Sequence, residues 1–486
     1  MIVKRIFKFL LLALTVLLVV VLYRTFTFKA GAALQVLDRE EVSVDPKVLG
    51  GAIRYPTISH KAEMIDEEAF AGFHHYLDSV FPLTDSLLEK ETINGYSLIY
   101  TWKGSDPDLD PLVLMAHQDV VPVEYSTQEQ WDFPPFSGSV TDKYIYGRGT
   151  RDDKGCLVAI VYAVENLLKS GFKPKRTIYL CFGHDEEISG RDGARIIART
   201  LEERGVRAAM VLDEGGTLSR GIVPGIEKEV ALIGTAEKGY ISLELSVDLP
   251  GGHSSMPEKR TALGILNQAL YTLEENPFPE RLTPPLEGFV DNVGPELPFI
   301  QKMAFANTWL FKPLIYNVYR QSASGAALIH TTQVPTIFQS GVKDNIVPNR
   351  AKAVVNYRLL PGDSPEEVLK RSKEIVNDTA VRISVYEDVA IPASPISPYR
   401  SEPYERLGSA VRAIYPEAVV SPYLVLGATD GRYFYSISQH VYRFSPFPME
   451  KEDLPRIHGI NERVSVQGFE NSVSFYATLL KDWGNQ

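Results

Sequence analysis

The chain has 486 residues, 44% hydrophobic and 23% charged, with a formal net charge of -11 at pH 7. That acidity, without a basic stripe, excludes a general nucleic-acid binder, and two cysteines, Cys156 and Cys181, are too few for a disulfide framework. The length fits two or three domains around a sizeable core.

The N-terminus, MIVKRIFKFLLLALTVLLVVVLYRTFTFKAGAA, sets Lys4, Arg5 and Lys8 ahead of an unbroken apolar run from Phe9 to Tyr23. As a helix that run covers about 22 Å, short of a hydrocarbon core of about 30 Å. Extended over Ile6 to Phe28 it reaches about 34 Å, with Lys8 and Arg24 snorkelling to the two interfaces. Residues 1–30 are therefore expected to form an uncleaved membrane anchor, and the basic flank places everything after it on the non-cytoplasmic side. The alternative is a cleaved signal segment and a secreted protein, because Ala30-Gly31-Ala32 resembles a small-residue cleavage site. Arg24 and Lys29 lie where such a site is usually uncharged.

Residues 45–236 alternate short β-rich runs with helical patterns, which predicts an α/β domain with a mixed, mostly parallel sheet. SLIYTWKG (97–104), PLVLMAHQD (111–119), RTIYLCFG (176–183) and AAMVLDEGG (208–216) read as strands, and CLVAIVYAVENLLKSG (156–171) as a helix closed by Gly171. From residue 237 the texture changes. EKGYISLELSVDL alternates apolar and polar residues, as an antiparallel strand with one wet face does. A helix near 259–274, strands near 328–342 and 346–359, a helix near 364–377 and a strand near 380–389 complete a small α+β domain, 237–390, inserted into the first. Within it, 276–330 is an extra insertion rich in proline and aromatics. The Pro-rich IPASPISP (391–398) leads back, and 391–486 completes the first domain.

Polar residues cluster where the buried strands end, the expected place for a site in an open α/β sheet. They are His117 and Asp119, Asp152 and Asp153, Glu186 and Glu187, Asp213 and finally His458. Adjacent carboxylates repel, so a run such as HDEE at 184–187 costs stability unless a cation or proton offsets it. Two imidazoles with several carboxylates suit zinc or a similar ion rather than calcium. The set is too large for one ion. A bridged pair needs one shared carboxylate, two further ligands per metal and a water between them.

MAHQDVVPV, WDFPPFSG, YGRGTRDDKG, HDEEISG, LDEGG, GGHSS, NIVPNRAKAVVNYR, GATDGR and IHGINER, in that order from about residue 50 to the end, resemble the successive motifs of one zinc metallopeptidase family. It includes aminoacylase, carboxypeptidase S, acetylornithine deacetylase and glutamate carboxypeptidase. The resemblance implies a di-zinc exopeptidase-like catalytic domain with an inserted lid and dimerisation domain. Two zinc ions, or cobalt or manganese in their place, would be held by His117 and Asp213 on one side and by Glu187 and His458 on the other. Asp152 would bridge them, and the Asp152–Asp153 peptide is a candidate cis bond. Asp119 would orient His117, Glu186 would be the general base, and His253 of GGHSS would help stabilise the tetrahedral intermediate. Asn345, Arg358 and Gly427 would bind substrate, the arginine capturing a terminal carboxylate. His184 and Asp185 are left as local supports.

The implied activity is hydrolysis of the amide of a short peptide or N-acyl amino acid with a free carboxylate. The apolar N-terminus, the aromatic insertion and the HGINER ending look most like carboxypeptidase S and the N-fatty-acyl-amino-acid synthase/hydrolase. Reversible synthesis is thus one alternative, and a non-catalytic metal-containing binding protein is another. In dimeric relatives the His253 equivalent reaches the partner's site. Whether this chain forms that homodimer or its 276–330 insertion replaces the partner stays open. So does the apolar stripe from Phe299 to Tyr319, as core, as acyl pocket or as a membrane-facing surface.

Overall fold

The computed structural model describes residues 2–31, 34–60 and 64–485. Ala32 and Ala33, in the segment considered for cleavage, lie outside them. An eight-stranded sheet organises the larger domain, in the order Glu89–Ile93, Ser97–Trp102, Ile178–Gly183, Leu112–His117, Met210–Ser219, Val441–Met449, Val230–Glu237, Val419–Val425. The four strands from Ile178–Gly183 to Val441–Met449 run parallel, and antiparallel pairings flank them. Leu112–His117 is buried at every residue, as a strand covered on both faces must be. Helices Lys154–Lys169 and Val466–Gly484 pack together over one face and Ala194–Glu203 over the other.

Because the central strands are parallel, their carboxyl ends open on one edge. His117 is the last residue of its strand, and Gly183 hands the chain to His184–Glu187. The site residues therefore come together from segments far apart in sequence.

The second unit is an antiparallel sheet, in the order Thr332–Ser340, Arg350–Leu359, Gly239–Asp248, Arg382–Ile391. Helices Ala262–Glu274 and Pro365–Val376 cover one face through Ile241, Leu243, Leu245 and Val247. The opposite face is polar, as the alternation predicts, yet not fully wet. Ser242 and Ser246 are buried, because cross-strand pairs such as Asn356 Nδ2 to Ser242 Oγ (3.0 Å) and Lys352 to Glu244 (2.9 Å) close over them.

The 276–330 insertion packs against the larger domain. Its helix Pro284–Val293 lies on the edge strand Val419–Val425 of the large sheet, with Val293 and Leu297 against Val230 and Leu232. It thereby caps an edge that would otherwise expose unpaired backbone groups. Helices Phe299–Ala306, Thr308–Tyr319 and Ala323–Ile329 follow, so the strand expected from 328 starts only at Thr332. Helix Ile2–Thr27 is long and apolar enough to cross a membrane.

Candidate metal centre

Asp152 stands at the middle of the site. Its Oδ1 lies 2.9 Å from His117 Nε2, and its Oδ2 lies 3.0 Å from His458 Nε2. Glu187 Oε2 is 3.3 Å from the same His458 nitrogen. Two groups of metal-capable side chains result, His117–Asp152–Glu214 and Asp152–Glu187–His458, each with ligand atoms within 4.8 Å of one another. They share Asp152, whose peptide to Asp153 is cis.

Asp213 lies outside both groups, and Glu214 stands where it was expected. Successive side chains of a strand point to opposite faces, so only one of the pair in Met210–Ser219 can face the cluster. Asp213 turns the other way, and its Oδ2 accepts from Gly431 N at 2.5 Å.

The supports are buried hydrogen bonds. Asp119, fully enclosed, lies with Oδ1 3.3 Å from His117 Nδ1. It also accepts from Glu186 N and Glu187 N, both at 3.1 Å. One carboxylate thus fixes the histidine and the glutamate turn together. Asp119→Ala should weaken metal binding by about 10–100-fold, read by chelator competition on the full chain. Unchanged affinity would reduce Asp119 to a backbone clamp.

A second clamp was not foreseen from the sequence. Glu462 Oε1 accepts from Gly149 N, Arg151 N and Asp152 N at 3.0, 2.9 and 3.3 Å. Its Oε2 pairs with Arg148 at 2.6 Å, and Arg148 also donates to the His458 carbonyl. The motifs carrying Asp152 and His458 are thereby locked to each other. The available clue was a glutamate four residues after His458 that no ligand count required. In HDEE, Asp185 accepts from Asp192 N and Gly193 N, both at 2.8 Å, just before helix Ala194–Glu203. His184 Nδ1 meets Ser97 Oγ at 2.6 Å. Both are local supports.

Whether the residues suit divalent cations can be tested on the hydrogen bonds. His117 Nδ1 lies 3.0 Å from the Asp119 carbonyl, which can only accept, so Nδ1 carries a proton. In the neutral ring the Nε2 lone pair then faces the Asp152 carboxylate, which is repulsive unless a positive charge lies between. Ligand atoms on one tetrahedral zinc, each about 2.0–2.2 Å from the metal, stand roughly 3.3–3.6 Å apart. The observed separations of 2.9–3.3 Å approach that spacing. Glu187 Oε1 is buried without a hydrogen-bond partner.

The electrostatics agree. Hydrogen bonds that His458 donates to the Asp152 and Glu187 carboxylates push its pKa up to about 10, while burial and the neighbouring Asp152 and Asp153 carboxylates raise that of Glu214. The cluster draws positive charge, as protons or as metal. The residues fit a pair of divalent ions.

His253 and the expected substrate-binding residues belong to neither ligand group. His253 is exposed on the short Gly252–His253 strand, paired with Ile346–Val347, and its Nδ1 meets Ser255 Oγ at 2.8 Å. Asn345 is exposed and its carbonyl accepts from Ser254 N. Arg358 is half-buried, its guanidinium 4.9 Å from the centre of the Tyr240 ring. Gly427 is exposed, with open space where a Cβ would stand. It begins the loop that continues through Thr429, which is held by Glu237.

Residues 113–482 match the model of Peptidase family M20/M25/M40. The N-fatty-acyl-amino acid synthase/hydrolase PM20D1 of Xenopus tropicalis is 39% identical, over 97% of this chain and 94% of that protein. The probable carboxypeptidase S-like 2 of Dictyostelium discoideum is also 39% identical, over 89% of this chain and 84% of that protein. Among solved structures, the M20 family metallo-carboxypeptidase Sso-CP2 from Sulfolobus solfataricus superposes with a TM-score of 0.62 at 20% identity, covering 91% of this chain and 100% of that one. At that identity the likeness is one of fold.

Proposed function

The chain belongs to peptidase family M20/M25/M40, and on that premise we propose that it hydrolyses the amide bond of N-acyl amino acids or short peptides bearing a free carboxylate. The observation that carries this reading is Asp152, with one oxygen on each of two histidines and a glutamate beside each pair. His117 and Glu214 would hold one ion and Glu187 and His458 the other, with Asp152 between them. Zinc fits the mixed nitrogen and oxygen donors best. A bound pair of ions supplies a water acidic enough to attack at neutral pH and polarises the scissile carbonyl.

The remaining steps fall to side chains. Glu186, outside both ligand groups but held beside them through Asp119, takes the attacking water's proton and delivers it to the leaving nitrogen. His253 donates to the developing oxyanion; from its exposed position it reaches a cleft when the inserted domain closes, or when a second copy presents it. Arg358, which forms no ion pair among the described residues, receives the substrate carboxylate with Asn345, while Gly427 leaves room beside it. Similarity to a protein named as a synthase/hydrolase favours a site that also runs in reverse when acid and amine accumulate. Helix Ile2–Thr27 is an uncleaved anchor in this reading, with the catalytic domain on the non-cytoplasmic side.

Substrate amidation tests the carboxylate requirement. Charge-assisted hydrogen bonds contribute about 1.5–3 kcal/mol, so kcat/KM for an N-acyl amino acid should drop by roughly 10–100-fold when its carboxylate is amidated. Arg358→Ala should erase most of that difference. Equal turnover of free and amidated substrates would overturn the assignment.

A further inference from the structure

Helix Thr308–Tyr319 is apolar on its outward side as well as its inward one, unlike a soluble surface helix. It packs inward through Ile315 and Tyr316 and exposes Trp309 (55%), Leu310, Leu314 (52%) and Val318 (58%). Phe299 and Ile300 of the preceding helix are exposed as well. Soluble monomers rarely leave so many large apolar side chains uncovered together, even with Lys312 and Asn317 exposed among them.

Its position says what covers it. The junction of these two helices grips the end of the N-terminal helix. Buried Asn307 donates to the Val21 carbonyl at 3.2 Å and to Thr25 Oγ at 3.3 Å. Arg24 Nε donates to the Ala306 carbonyl at 3.0 Å, and the Phe26 and Phe299 rings stand 5.8 Å apart. Val21 and Thr25 are buried there, whereas the helix before Val21 is almost wholly exposed.

Length then fixes depth. From Phe9, the first residue after Lys8, to Val20 the helix rises about 18 Å. A hydrocarbon core needs about 30 Å, and a snorkelling Lys8 recovers only part of the difference. The core must therefore extend past Val21, into the level of the helices gripping it. The shortfall, about 8–12 Å depending on how far Lys8 snorkels, overlaps the 5–10 Å to which interfacial helices sink.

We infer that Phe299–Ala306 and Thr308–Tyr319 form a collar embedded in the near boundary of the bilayer that the N-terminal helix enters. This rests on the anchor reading above. The occupant of the apolar face is lipid, so the domain is fastened to the membrane at two places and held at a fixed height over it.

The native tryptophans supply the test. Trp309 is exposed, whereas Trp102, Trp131 and Trp483 are each less than a tenth exposed. The full chain would be reconstituted into phosphatidylcholine vesicles with bromine at a shallow acyl position, and Trp309→Phe would assign the signal. The Trp309 emission should be quenched on brominated lipid relative to the unbrominated lipid, as for an aromatic sunk to the headgroup/acyl boundary. Leu314→Glu with Val318→Glu should abolish that quenching while the chain still floats with the vesicles. Flotation with Trp309 unquenched would overturn the collar and leave the anchor standing. So would unquenched, blue-shifted emission with cross-linking between copies, since a second chain would then cover the face. Failure to float would overturn both.

Discussion

Glu186→Gln should abolish most turnover while leaving the metal content near that of the unaltered protein. The glutamine keeps the shape of the side chain and the backbone N–H to Asp119, so the turn that presents it is preserved. What it lacks is a basic oxygen. General base catalysis is worth about 10²–10⁴-fold, and here the same group also generates the nucleophile, so kcat should fall by at least that range with KM little changed. Elemental analysis beside steady-state kinetics separates this from loss of a ligand. Glu187→Gln is the contrasting case. Its oxygen lies 3.3 Å from His458 Nε2, so this variant should lose metal and regain part of its activity in excess zinc. If the two behaviours are exchanged, the roles of the adjacent glutamates must be exchanged too.

The parts of the molecule that were legible in the sequence share a physical cause. His117 and the HDEE run could be placed because an apolar strand ending in several ionisable groups has few bland explanations. The core strands could be placed because burial on both faces requires unbroken apolar runs. Choosing between neighbours was harder. Asp213 and Glu214 are both carboxylates in one strand, and composition does not say which face of that strand meets the metal. The register is set by Val441–Met449, which pairs with it from more than two hundred residues away. The stripe from Phe299 to Tyr319 was visible as apolar, but whether it points inward or outward depends on where Asn307 meets the N-terminal helix. Glu462 and Arg148 escaped notice because they touch backbone, and a side chain that clamps main-chain groups has no ligand-like spacing to betray it.

The strand register leads to the second large effect. Glu214→Gln should reduce the metal content by about one ion per chain and cut activity steeply, with partial rescue by added zinc. Removing one carboxylate from a cluster of this kind takes away a first ligand and one of the charges that offsets the ion. Asp213→Ala should keep both ions and instead weaken the fold. Its Oδ2 accepts from Gly431 N, and its strand neighbour across the ladder is Arg443, which is buried against Glu237. Leaving a buried N–H without its acceptor costs about 1–3 kcal/mol, so the loss should show as a lowered Tm. Because Gly431 follows the Gly427–Thr429 stretch, KM should also rise if that loop lines the substrate cleft. Metal content is the deciding measurement, since both variants will be less active. If Asp213→Ala loses an ion and Glu214→Gln retains two, Asp213 is the ligand and the strand must rotate its side chains when metal binds. If neither loses metal, the third donor on the side of His117 and Asp152 comes from elsewhere in the cleft.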